Sequence, residues 1–171
     1  ELNGVTRTVT TSGLSPISLI MSGVIQNTMS ATPAGLIKAG AGSLVLSGAS
    51  TFTGGVQLTA GTLIIGAAST PATASTVAAP IAVTSGPLGA GNGTTTGILT
   101  ITDGTTIQTD GTTRTVSNRV AFATPSVASG FTIGGASTGT GSNLVLNGIF
   151  DLGTAMRTIN VSNPQGTSTL G

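Results

Sequence analysis

The stretch that most constrains this chain runs from Gly35 to Gly66, where apolar residues alternate with polar or slim ones and glycine cuts the pattern at near-regular intervals. Leu44 and Leu46 alternate before Ser47-Gly48, Val56 and Leu58 before Ala60-Gly61, and Leu63 and Ile65 repeat the pattern once more. A period of two bounded by turn residues predicts half-buried strands. These six side chains, with Leu144 and Leu146 further on, are the expected core ladder. Gly40, Gly42, Gly48, Gly54, Gly55 and Gly61 are the expected turns, because glycine bends the chain without a Cβ to clash. Leu44 and Leu63 lie 19 residues apart, a spacing that suits one rung of a coiled sheet.

The rest of the composition agrees with an all-β chain. Only 5% of the 171 residues are charged, against about 25% in ordinary domains. The hydrophobic fraction is 38%, and its regular spacing argues against disorder. Thr and Ser make up roughly 30% of the chain, far above the globular norm. Thr is β-branched, and its hydroxyl keeps an outward strand face wet without charge.

The core stretch also carries a resemblance. Gly35-Leu36-x-Lys38-x-Gly40-x-Gly42-x-Leu44-x-Leu46-Ser47-Gly48, then Thr51-Phe52-Thr53-Gly54-Gly55, then Gly61-Thr62-Leu63, strongly resembles the autotransporter-associated β-strand repeat, a passenger-associated repeat of large secreted bacterial surface proteins. The resemblance covers about 32 residues of many fixed spacings. Ser50 stands where that repeat often has Asn, and Phe52 where it often has Tyr. The resemblance implies a right-handed parallel β-helix, an extracellular or cell-surface location and a structural or adhesive role, and it implies no chemistry.

Along the chain, Val5–Thr10, Ile17–Met21 and Val24-Ile25 read as strands before the core motif. Residues 67–97 form a loop-containing excursion: 67–80 break the periodicity with Ala, Ser, Thr and two prolines, and Ser85–Gly93 is rich in turn formers. Strand pattern resumes at Ile98–Thr102, with Asp103-Gly104 and Asp110-Gly111 as turns, and continues through Arg114–Phe122, Phe131–Ile133, Asn143–Phe150 and Arg157–Val161. Residues 1–171 therefore read as a single β-solenoid segment of a longer repetitive chain. At about 20 residues per rung it would make roughly eight rungs, stacked along ~40 Å.

Two echoes accompany this pattern. Ser18–Gly23, Ser43–Gly48 and Asn143–Gly148 are versions of one strand and turn. Arg-Thr followed by Val or Ile recurs at Arg7, Arg114 and Arg157, each four or six residues after an acid, so Asp110–Arg114 and Asp151–Arg157 are candidate pairs on one strand face. Glu1-Leu2 with Arg7-Thr8-Val9 also aligns on Asp151-Leu152 with Arg157-Thr158-Ile159 at an offset of 150, as if one long period were starting again.

Chemistry is harder to find. Without His or Cys, zinc sites, haem ligation and most nucleophile–base pairs are excluded. Asp103 and Asp110 are the nearest carboxylate pair, each followed by Gly as turn aspartates are. No calcium-binding nonapeptide occurs, and Gly40-Ala41-Gly42, Gly89–Gly93 and Gly139-Thr140-Gly141 lack a dinucleotide or P-loop pattern. Asn92-Gly93-Thr94 and Asn160-Val161-Ser162 match a glycosylation sequon that is common by chance. A net charge of +1 from scattered residues argues against nucleic acid. Four Phe with no Tyr or Trp give no stacking platform, and no apolar run is long enough for a membrane-spanning helix.

The expected protein is therefore non-enzymatic, without catalytic, metal or cofactor residues. It is a structural module that associates with itself or further copies of its repeat, end to end, into a stalk or fibre. The alternative is an adhesin segment holding a host, matrix or carbohydrate ligand through its loops, the ligand itself not being legible.

Overall fold

The computed structural model describes residues 1–13, 17–27, 32–124, 128–134, 143–162 and 168–170. The glycine-rich stretch around Thr140 lies outside them. Fifteen strands and no helix make up the described chain, and every strand pairs with its neighbours in parallel.

The strands sort onto three sheets. The first stacks β1 (Arg7–Thr10), β3 (Leu36–Ala39), β5 (Val56–Leu58), β7 (Leu99–Ile101), β10 (Val120–Phe122) and β13 (Phe150–Asp151). The second stacks β2 (Leu19–Met21), β4 (Ser43–Leu46), β6 (Thr62–Ile65), β8 (Thr106–Thr109), β11 (Ser129–Gly134) and β14 (Arg157–Ser162). A shorter third sheet holds β9 (Arg114–Val116), β12 (Leu144–Leu146) and β15 (Ser168–Leu170). Strands of the first two sheets alternate along the chain, so each sheet gains one strand per turn, the arrangement of a β-solenoid.

Each long sheet has six strands, so the described chain makes six coils where uniform rungs would give about eight. Coil length is not uniform. Leu44 stacks on Leu63 after 19 residues, but Val56 stacks directly on Leu99 across the whole 67–97 excursion. Pairing register, not chain length, is what the stack conserves.

Register explains the core. Leu36, Val56, Leu99 and Val120 occupy one column of the first sheet, and Leu44, Leu63, Ile107 and Ile133 one column of the second. All eight are buried, as are Leu46, Leu58, Ile65, Leu144 and Leu146. Stacked strands put like side chains about 4.8 Å apart, so each column buries its own neighbours without a closed globule. Phe131 packs between Phe122, edge-on at 5.8 Å, and Phe150, stacked at 6.1 Å, in the last two coils.

The echoes do not all mark equivalent places. Ser18–Met21 and Ser43–Leu46 do stack, Leu19 on Leu44, but Asn143–Leu146 lies on the third sheet. Arg7, Arg114 and Arg157 open strands of the first, third and second sheets respectively. The offset of 150 therefore does not return the chain to the same side, because unequal coils uncouple sequence distance from angular position.

Candidate functional site: corners, insertion and end coils

The corners are built by contact between coils. A Cβ on Gly42, Gly48 or Gly54 would meet backbone of the adjacent coil, within 2.9 Å of Gly13 N, 2.8 Å of Gly23 C and 2.5 Å of Gly35 N respectively. Gly40, Gly55 and Gly61 have the same crowding and also adopt φ of 76°, 73° and 72°.

Lys38 points inward between these corners, in the column of Leu58 and Ile101. It is 0% exposed, and its ammonium donates to Ala39 O at 3.0 Å, Gly40 O at 2.8 Å and Ala60 O at 2.9 Å. The first two oxygens are the last of β3 and the first of the corner after it, and the third lies in the corner after β5, so one side chain ties two successive coils. Its own carbonyl accepts from Thr59 N at 2.9 Å and from the Thr59 hydroxyl at 2.8 Å. Three carbonyl acceptors match the three donors of an ammonium group, which a buried charge requires. Burial lowers the Lys38 pKa below its ordinary value. Sequence reasoning treated Lys38 only as a motif residue, and its position two after inward Leu36 is the signal that it points inward too.

The acid–Arg pairs differ from expectation. Arg114 holds Asp110 through two bonds of 2.6 and 3.0 Å, but Asp110 lies in the turn after β8 and Arg114 opens β9, so the bridge crosses a corner instead of sharing a strand face. Asp151 bonds Arg119 at 2.6 Å on the coil before it, not Arg157. Arg157 lies with its guanidinium 4.2 Å from the centre of the Phe122 ring and donates to Leu152 O and Thr124 O, contributing to Asp151 only an electrostatic attraction. The Gly153 N–H, then Arg119, hold the Asp151 carboxyl below the usual range. For Asp110, partial burial pushes upward, and the Arg114 bonds and charge more than offset it. Asp110→Asn is expected to cost about 0.5–1 kcal/mol in urea unfolding at pH 7, the range of a half-exposed pair. The loss should vanish in acid: a depressed folded pKa gives stability that is complete above the ordinary aspartate value of about 3.9 and drains as pH falls through the folded one.

Asp103 is also occupied, accepting from Gly130 N at 2.6 Å at the start of β11. Among the described residues no group of three His, Cys, Asp or Glu side chains comes together to hold a metal ion. The Asn92 side-chain Oδ1 accepts the backbone N–H groups of Thr94, Thr95 and Thr96 at 3.0, 2.8 and 3.0 Å, which closes a tight turn at that sequon.

The excursion is anchored by residues that sequence reasoning passed over. Asn118, 2% exposed, donates to Gly89 O at 3.2 Å and Gly97 O at 2.9 Å and accepts from the Ser69 hydroxyl at 3.2 Å. Its signal was available: Ser117-Asn118 stands where the next corner of the same sheet has Asn147-Gly148. Leu88, expected in a loop, is 0% exposed and belongs to the core.

Large apolar side chains that remain exposed gather on the first and last coils. Val5, Ile17, Leu19, Ile20 and Val24 lie at one end, Leu152, Met156 and Val161 at the other, and Val77 alone projects from the excursion among the described residues.

This geometry defines an all-β coil of stacked parallel strands whose corners are set by glycine and one buried lysine. Residues 36–65, which hold Lys38 and all six corner glycines, match the family model of the passenger-associated-transport-repeat. No curated protein and no solved structure matched the chain. The repeat points to the passenger of an autotransporter-type secreted protein.

Proposed function

We propose that this chain is a non-enzymatic structural module of a large secreted bacterial cell-surface or extracellular protein, a right-handed β-solenoid that forms a rigid stalk or fibre by end-to-end stacking. Right-handedness follows the rule for parallel crossovers within one sheet. The observation that carries the stacking is that both six-stranded sheets keep one register from β1 and β2 to β13 and β14. A further coil, from the same chain or another, can extend both sheets at once. Continuing the columns would set Val161 of one end against Leu19 of the other, both apolar and exposed. Unpaired sheet edges are templates for such addition, and a head-to-tail contact that does not close builds a filament.

The adhesin reading draws on the exposed, uncharged outer part of the excursion, which is free to meet a ligand. Electron microscopy and fibre diffraction of the purified chain test the first reading. Thin fibres with a meridional reflection at ~4.8 Å are expected. Discrete short rods at high concentration would overturn stacking and leave the excursion as the surface to probe.

A further inference from the structure

The 67–97 excursion consists of two unlike parts joined at a neck. Thr70 N donates to Ser85 O at 2.8 Å and Thr84 N to Thr70 O at 2.7 Å, closing an antiparallel bridge. Past the neck, the returning limb is built into the coil: Gly86 pairs with Ser50, Ala90 N donates to Phe52 O, Gly97 N to Thr53 O, and Leu88 fills the core. Residues 71–82 are different. None belongs to the apolar core, none is charged, and all but Pro71, Ser75 and Ile81 are exposed.

Among the described residues, two hydrogen bonds tie this outer segment to the coil, and both reach one residue. Ser75 N donates to Asn147 O at 2.7 Å, and Asn147 Nδ2 donates to Ala72 O at 3.4 Å. Its other bonds are internal, Ile81 N to the Ser75 hydroxyl at 2.8 Å and Ala79 N to the Thr76 hydroxyl at 3.0 Å, so it has a shape of its own. Val77, at its tip, is one wall of a hollow of about 430 Å³ whose other walls include Thr94, Arg119, Phe150, Asp151 and Leu152.

We propose that residues 71–82 form a hinged flap, latched at Asn147 and turning about the Thr70–Ser85 neck, that opens and closes the hollow beside Arg119 and Phe150 without unwinding the coil. The latch is small, one bond at buried Ser75 and one exposed at Ala72, whereas the ladders are continuous hydrogen-bonded structure and the neck is closed by its own bridge. Segments with few buried apolar contacts and exposed hydrogen bonds open locally while the rest stays folded. A closed neck lets the flap move as a unit, as compact surface loops with adjacent ends do.

Asn147→Ser tests the latch. Ser117 stands at the same corner of the coil beneath, so the coil accepts Ser there, and its side chain is too short to hold Ala72. Hydrogen exchange of the whole chain should quicken about 5-fold or more at amides 73–82, the effect of losing one hydrogen bond of roughly 1 kcal/mol. Amides 144–146 in the adjoining strand should keep their rates. Equal acceleration of both sets would show that the segment is integral to the coil, and no change in either would show that the Asn147 side chain does not hold the segment, which overturns the latch. The lid role has a separate readout. The chain has no Cys, so Ile149→Cys gives a single thiol beside the hollow. Its labelling should be faster with Asn147→Ser than without, and equal rates would show that the flap does not gate the hollow.

Discussion

Gly61→Ala is expected to lower stability by more than about 4 kcal/mol, in the tail reserved for strain and overpacking. Two causes act together. Gly61 has φ +72°, where an added Cβ costs about 1–2 kcal/mol. That Cβ would also lie 2.5 Å from Gly40 O and 2.9 Å from Ala41 C, which are backbone of the coil beneath and cannot rotate away. The two coils must then part, and the Leu44–Leu63 contact parts with them. Gly104→Ala is the control, since Gly104 has φ +73° with nothing within 4 Å of the added carbon. It should cost only the conformational share, about 1–2 kcal/mol. Urea unfolding of both variants measures the difference. Equal losses would mean that the corner has slack and that coil contact does not set it.

Lys38→Met should cost about 2–4 kcal/mol, since methionine keeps the apolar stem but leaves carbonyl oxygens of two corners without their donor. The loss is smaller than the sum of three charged hydrogen bonds because methionine also removes the cost of burying an ammonium group. The pH dependence follows from the lowered pKa. Between the folded value and the ordinary 10.5, the unfolded chain binds more protons than the folded one, so the Lys38 contribution grows as pH rises through that window. The gap between wild type and Lys38→Met should therefore widen toward pH 10.5 in parallel chemical melts. A gap that closes instead would show that the three carbonyls hold the charged form more firmly than burial opposes it.

Much of the fold was legible because strands announce themselves locally. The alternation at Leu44–Leu46 and Leu63–Ile65, cut by glycine, places each strand without knowledge of its neighbours. The number of coils was not, since it depends on where the chain rejoins the stack, and nothing local at Leu99 says that it pairs with Val56 across an excursion. The same non-locality hid the partner of Asp151. Spacing along one strand favoured Arg157, but stacking brings Arg119 of the preceding coil nearer, and the Phe122 ring draws Arg157 away. Asn118 is a different case. An asparagine where the stacked corner has Gly148 was visible, but its meaning lay in the carbonyls of Gly89 and Gly97, which only the folded insertion presents.

The Thr70–Ser85 neck also makes this position a socket. Because the strands on either side keep register with the insertion in place, what lies beyond the neck is free to change in length. Doubling a flexible loop there costs only about 0.6 kcal/mol of closure entropy. A foreign epitope or a small domain spliced between those two residues would ride on the side of the rod, at a fixed distance from either end, while the rod itself stayed unaltered.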